Sequence, residues 1–143
     1  MIMKAIKVVL SSFSLLLVLG FLTSMTGSLD PQQKQPEPWP VPAEYKNMKN
    51  PVEANAQSLK LGEMLYKKNC ASCHGKAGLG DGVKARTLET FSGDFSSEAF
   101  HNQTDGELFY KSKFGRDEMP SYEGKIPDED IWHMINYMRT FAK

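Results

Sequence analysis

The chain has 143 residues, 17 basic and 17 acidic side chains, no formal net charge and only two cysteines. That balance argues against nucleic acid or another polyanion as partner. Without the first 30 residues, which contain Lys4, Lys7 and Asp30, the counts become 15 and 16. The remainder is near neutral and large enough for one small domain and a tail.

The chain opens with MIMKAIKVVLSSFSLLLVLGFLTSM. Two lysines precede an apolar run from Val8 to about Met25, the pattern of an export signal. Ser24, Thr26, Gly27 and Ser28 offer small residues for cleavage, for instance after Ser28, although no Ala-x-Ala is present. At about 18 residues the run is also near the lower limit for spanning a bilayer. Residues 1–28 are therefore expected to be a signal peptide or a retained N-terminal membrane anchor, with residues 8–25 as the tether. Both place the rest of the chain outside the cytoplasm. It would be periplasmic, soluble or anchored to the outer face of the cytoplasmic membrane.

Pro31, Pro36, Pro38, Pro40 and Pro42 follow closely. Proline fixes φ and removes an N–H, so residues 29–51 are expected to be extended and polyproline-like. They form either a linker or a strap over the domain, with Trp39 as its anchor. At Asn50-Pro51 the pattern turns helical, with Asn50 as cap and Pro51 at the first helical position. Leu61, Leu65 and Tyr66 share one face, with Gly62 in the same turn. Glycine-rich GKAGLGDG must be loop, followed by a short helix near Val83–Leu88.

Thr104-Asp105-Gly106-Glu107 is a capping box for a helix ended by Gly115. RDEMPSYEGKIP is loop. The last helix, from Asp128, carries an apolar stripe of Ile131, Ile135, Met138 and Phe141 or Ala142. Acids lead it, and Arg139 and Lys143 close it, as the helix dipole favours. With no convincing strand, residues 52–143 are expected to fold as a small all-α domain of about four short helices.

Such a domain buries little apolar surface and needs an additional staple. Cys70 and Cys73 are the place to look. A disulfide between them would close a tiny loop and constrain little. A thioredoxin-like pair needs a βαβ setting. A zinc site needs four ligands, and His101 and His133 lack the usual paired spacing. Cys70-Ala71-Ser72-Cys73-His74, by contrast, is the attachment signature of a c-type haem. The thiols add across the two vinyl groups and the adjacent imidazole reaches the iron.

CASCHGKAGLGDG resembles the CHG-x-x-G-x-GDG segment of bacterial monohaem class I cytochromes c. The resemblance runs from Leu61-Gly62 and Tyr66 through EMPSY to DEDIWHMINYMRTF, roughly residues 53–143. It implies a haem wrapped by helices, the first and last crossing closely at Gly62, with Tyr66 and Tyr137 at the aromatic positions of the crossing. The family often has a proline after GDG whose carbonyl accepts from the proximal imidazole. Val83 stands there in this chain; it keeps a carbonyl but gives a less rigid loop.

The resemblance makes Met119 the distal ligand, and thioether ligation raises the potential. Met64, Met134 and Met138 read as packing, and Met48 lies in the linker. His133 reads as a surface or interhelix residue and His101 as an exposed loop residue. Trp132, Phe109, Phe114 and Tyr122 are expected to line the haem pocket, with Arg86 and Trp132 as weaker candidates for the propionates.

The implied function is transfer of one electron between respiratory partners, such as a quinol-oxidising complex and a terminal oxidase. No nucleophile, acid–base pair or phosphate loop argues for an enzyme. The alternatives are a fixed cytochrome subunit of a membrane complex and an open-iron haem sensor or peroxidase. Lys76, Lys84, Lys111, Lys113 and Arg116 suggest a basic rim, interrupted by Asp81, Asp117 and Glu118, so steering by charge is expected to be modest.

Overall fold

Asn55, rather than Asn50, opens the first long helix. A computed structural model describes residues 33–142, and the expected signal or anchor lies outside the described residues. Six α-helices occur among them: α1 (Ala43–Lys46), α2 (Ala56–Asn69), α3 (Ala71–His74), α4 (Glu98–His101), α5 (Asp105–Phe114) and α6 (Asp128–Met138). Short 3-10 turns span Ala85–Thr87 and Arg139–Phe141. The described residues form no strand, only isolated bridges at Lys34–Thr90 and Arg116–Met119. The fold is that of a small all-α domain.

Asn55 Oδ1 accepts from Ser58 N at 2.9 Å and caps α2. Asn50 has a different task. Its Oδ1 takes Val52 N at 2.9 Å, and its Nδ2 reaches Trp132 O (3.2 Å) and Asn136 Oδ1 (2.8 Å). Pro51 therefore lies in a turn ahead of the helix.

The seam of α2 is Ser58, Gly62 and Tyr66, one residue per turn, all buried. Leu61 and Leu65 flank it, half-buried. Against it lies α6, with Ile131, Met134 and Ile135 buried almost completely. A Cβ on Gly62 would overlap the His133 carbonyl oxygen and come within 2.9 Å of Tyr137 Cβ. Only glycine permits this crossing. The Tyr66 and Tyr137 rings meet beside it, centroids 5.5 Å apart.

A polar core accompanies the crossing. Asn136 Nδ2 donates to Ser58 Oγ (2.9 Å) and to Val52 O (3.1 Å). Ser58 Oγ lies 2.8 Å from His133 Nδ1. Ser58 Oγ joins α2 to both Asn136 and His133 of α6. His133 is thus an interhelix residue.

The capping box forms in full: Glu107 N donates to Thr104 Oγ1 and Thr104 N to Glu107 Oε2. Arg139 does more than complement a dipole. Its guanidinium reaches Asp105 Oδ1 (2.7 Å), His101 O (3.2 Å) and Gln103 O (2.6 Å), tying the end of α6 to the start of α5.

The arm before α2 is not wholly extended. After Pro42 it makes the single turn α1, whose Tyr45 ring packs on Phe109, Tyr110 and Phe114. Gly106 admits this turn, since a Cβ there would meet the Tyr45 carbonyl and Met48.

The crossing predicts a contrast between two glycines. Gly62→Ala should cost about 3 kcal/mol, because the obstacle is backbone. Gly124→Ala, with open space around it but φ of +68°, should cost about 1 kcal/mol from backbone strain alone. Urea unfolding of the two variants checks the difference.

Candidate functional site

Cys70 ends α2 and begins α3, so the CxxCH run is one tight turn directly after the long helix. Cys73 N and His74 N both donate to Cys70 O, at 3.1 and 3.0 Å. Four residues cannot hold a helix alone. The loop Gly75–Lys84 folds back over the turn and satisfies its last carbonyls. Lys84 N donates to Ser72 O (2.8 Å), Gly82 N to Cys73 O (3.2 Å) and Gly80 N to His74 O (2.9 Å). The glycines allow this. Gly75, Gly78 and Gly80 have φ of +82°, +72° and +73°, and a Cβ on Gly82 would overlap the Ser72 carbonyl. Tyr66 Oη donates to Gly75 O at 2.8 Å, fixing the loop to the α2–α6 crossing.

Both thiols are free and half-buried. Burial, then the neighbouring Cys73 thiol, pushes Cys70 up to about 12. Burial lowers the His74 imidazole to about 4, partly offset by the backbone of Ser92. The ring is therefore neutral at physiological pH. Its Nδ1 is buried and has no hydrogen-bond partner, so the Val83 carbonyl does not take it. Val83 itself is 87% exposed. Phe95 stacks on the imidazole at 4.5 Å, and Phe100 on Phe95 at the same spacing.

Two thiols on one turn beside a neutral imidazole are the donor set that a covalent haem requires. Among the described residues, no group of three or more His, Cys, Asp or Glu side chains is arranged to hold a metal ion instead.

Met119 lies in the turn after α5, half-buried. Met119 N donates to Arg116 O (2.9 Å) and Arg116 N to Met119 O (3.0 Å). Asp117, between them, adopts φ of +51°, at a backbone cost of about 1 kcal/mol. Gly115 lets the chain return, since a Cβ would meet the Met119 and Pro120 carbonyls. Further along the same loop, Tyr122 Oη donates to Asn69 O (2.6 Å), next to Cys70. Burial, then Cys70 and Cys73, pushes its phenol up to about 12. The loop that bears Met119 is thus tied to the cysteine turn.

Phe109 and Trp132, expected as pocket walls, stack face to face at 4.2 Å and belong to the shared core. Phe114 packs against Tyr45 and Tyr110. Arg86 is exposed. His101 differs from expectation. It sits on α4, half-buried, its Nε2 buried without a partner. The signal missed was Ser97, which caps α4 through Phe100 N. Ser92 was also missed, and no local pattern marks it.

The all-helical fold and the thiol–imidazole turn define a monohaem class I cytochrome c. A family model described as "Cytochrome C oxidase, cbb3-type, subunit III" matches residues 57–138, and the chain belongs to that cytochrome c family. The chain is 31% identical over 83 residues to cytochrome c6 of Gracilaria tenuistipitata var. liui, covering 58% of this chain and 72% of that protein. It is 32% identical over 85 residues to cytochrome c6 of Pyropia yezoensis, covering 59% and 73%. A chain of the reducing HAO-like protein complex of Kuenenia stuttgartiensis has a similar fold, with a TM-score of 0.58 at 22% identity. That match covers 76% of this chain and 52% of the other, so this chain spans about half its length. The cofactor of the family is covalently bound haem c, and the function it serves is haem-based electron transfer.

The Tyr122 phenol provides a pH test. Its folded pKa, about 12, exceeds the ordinary 10.0. The stability linked to it is complete below pH 10 and is lost as pH rises through 12. An ultraviolet titration of the native protein against Tyr122→Phe should show this phenol ionising well above 10; ionisation at 10 would contradict the burial.

Proposed function

We propose that the chain carries one electron at a time between respiratory redox partners outside the cytoplasm. Cys70 and Cys73 hold the haem as thioethers, and His74 and Met119 are its axial ligands. The observation that carries this is the His74 ring, neutral and largely shielded from solvent, on the same turn as two free thiols. The haem supplies an iron centre that takes up and releases one electron. The chain's own residues do the rest. The Gly75–Lys84 loop keeps the imidazole in place. Phe95 covers one face of it. The Arg116–Met119 turn offers the thioether from a loop tied to Asn69 through Tyr122.

Charge on the described surface supports modest steering by partners. Lys113 pairs with Asp128 and Arg116 with Asp117, while Lys111 bonds Gln103. Lys76 and Lys84 remain exposed. The association rate with a redox partner should rise less than about tenfold when salt falls from about 200 to about 10 mM. Stopped-flow reduction checks this.

A second arrangement of the same activity is a cytochrome domain fixed to a membrane complex, with residues 8–25 as tether. Two observations favour it: the arm from residue 33 is pinned along the domain, and the matching family model is named for an oxidase subunit. Among the described residues, no helix is long and apolar enough to cross a membrane. Recovery of the protein in a salt-washed membrane pellet would favour the fixed subunit, and recovery in the periplasmic fraction the free carrier.

The ligand assignment has its own test. The oxidised protein should show a weak far-red sulfur-to-iron band that Met119→Ala abolishes, with a lower midpoint potential. A protein without that band whose reduced form binds carbon monoxide would have an open iron, suited to sensing or peroxide chemistry. An unchanged six-coordinate spectrum in Met119→Ala would instead point to His101, whose Nε2 is buried and unpartnered.

A further inference from the structure

The Arg116–Met119 turn is held from outside, and by a segment that the family match does not include, since that match begins at residue 57. Arg116 Nη1 and Nη2 donate to the carbonyls of Pro38 and Glu37, at 3.0 and 3.1 Å. The same guanidinium stacks on Trp39, 4.7 Å from the ring centroid. Lys111 approaches that ring too, at 5.8 Å. On the other side of the turn, the Glu118 carboxylate accepts from Glu89 N and Thr90 N, at 3.0–3.1 Å. That segment is in turn paired with the arm. Lys34 N donates to Glu89 O (3.3 Å) and Phe91 N to Lys34 O (3.0 Å), while Gln33 Nε2 donates to Ala85 O and Leu88 O.

Arg116 and Glu118 flank the one residue of the turn, Asp117, whose backbone sits in the left-handed region at φ +51°. Only two backbone hydrogen bonds close the turn itself. A short, strained turn of this kind takes its order from what grips it. Here the grip comes from residues 33–39 on both sides, directly at Arg116 and through Glu89–Phe91 at Glu118.

We propose that the proline-rich arm, acting through Trp39 and Arg116, positions the Met119 turn and sets how readily the sixth coordination position opens. The inference rests on Met119 as axial ligand. Trp39 and Arg116 are positioning residues: neither need touch the haem. Proline suits the arm, because its restricted backbone makes the Glu37 and Pro38 carbonyls a preset acceptor pair. An apparent affinity for an external ligand scales with the fraction of molecules whose site is open. Loosening the arm should therefore raise that affinity without altering the ligand set of the closed form.

The experiment uses the full haem-loaded chain, with imidazole as probe and the far-red band as readout. In Trp39→Ala, imidazole should displace Met119 at a concentration about tenfold lower than in the unaltered protein. Trp39→Phe, which keeps a ring under Arg116, should stay within about threefold of the unaltered value. Amide exchange should accelerate about tenfold at Met119, with Ile135 in α6 unchanged. Arg116→Lys keeps the charge and loses the fork on Glu37 and Pro38, so it should behave like Trp39→Ala; it decides the matter if the alanine variant loads no haem. Unchanged imidazole affinity in both variants overturns the inference, as does a rise matched by equal acceleration of exchange at Ile135, which would mean general destabilisation. Absence of the far-red band from the unaltered protein overturns the Met119 assignment itself. A band present with unaltered affinities overturns only the role of the arm.

Discussion

The backbone contact between α2 and α6 at Gly62 governs everything downstream of it. Because the two helices touch there, the next turn of α2 brings Tyr66 into the core, fully buried. A buried phenol must bond its hydroxyl or bear a desolvation cost of about 1–3 kcal/mol. Tyr66 bonds the Gly75 carbonyl, which is the first residue of the loop folded over the cysteine turn. Burial, then Cys70, Tyr137 and Asp81, holds this phenol well above the tyrosine range, so it stays a donor. One close crossing thereby reaches the site through a single hydrogen bond. The Ser58–Asn136–His133 cluster serves the same crossing from its other end, with the Asn136 amide bonded to Ser58, Val52 and Asn50.

The site itself is built from backbone more than from side chains. Three consecutive carbonyls, of Ser72, Cys73 and His74, take N–H groups from the returning loop. That arrangement satisfies the turn with main-chain groups and leaves the imidazole face to Phe95. The same economy appears at the Met119 turn, where both hydrogen bonds are main chain. The cysteine turn and the Met119 turn differ in how they are held. The cysteine turn is gripped by its own following loop, close in sequence. The Met119 turn is gripped by residues about 80 positions earlier. Contacts of long sequence separation are the costlier to form, so the grip on the Met119 turn is the costlier of the two to assemble.

These differences explain what could be read from the residues in advance. The CxxCH run, the Thr104 capping box and the stripe of α6 are local patterns, and local chemistry dictated each of them. Asn50-Pro51 looked equally local and misled, because an asparagine ahead of a proline serves a turn as well as a cap; its amide was needed by Asn136, 86 residues away. The α2 seam was partly hidden as well. Hydrophobic periodicity favours Leu61 and Leu65, whereas the residues in closest contact are Ser58 and Gly62, which carry little or no apolar side chain. Phe109 and Trp132 were legible as buried aromatics but not as partners of each other. The placement of the arm depends on Arg116 reaching the Glu37 and Pro38 carbonyls while it also pairs with Asp117, which no spacing reveals.

The inward use of cations bears on both arrangements proposed for the protein. Lys111, Lys113 and Arg116 all lie against aromatic rings, so much of their reach is spent within the fold. A surface with little directed charge associates at about 10⁵–10⁶ M⁻¹s⁻¹, well below what steering provides. A free carrier would have to compensate with abundance and with short-range fit near the exposed Val83 and Leu79. A tethered domain has no such need, because a flexible link supplies an effective concentration of roughly millimolar. The arm limits that link: chain pinned from Gln33 onward cannot lengthen the reach.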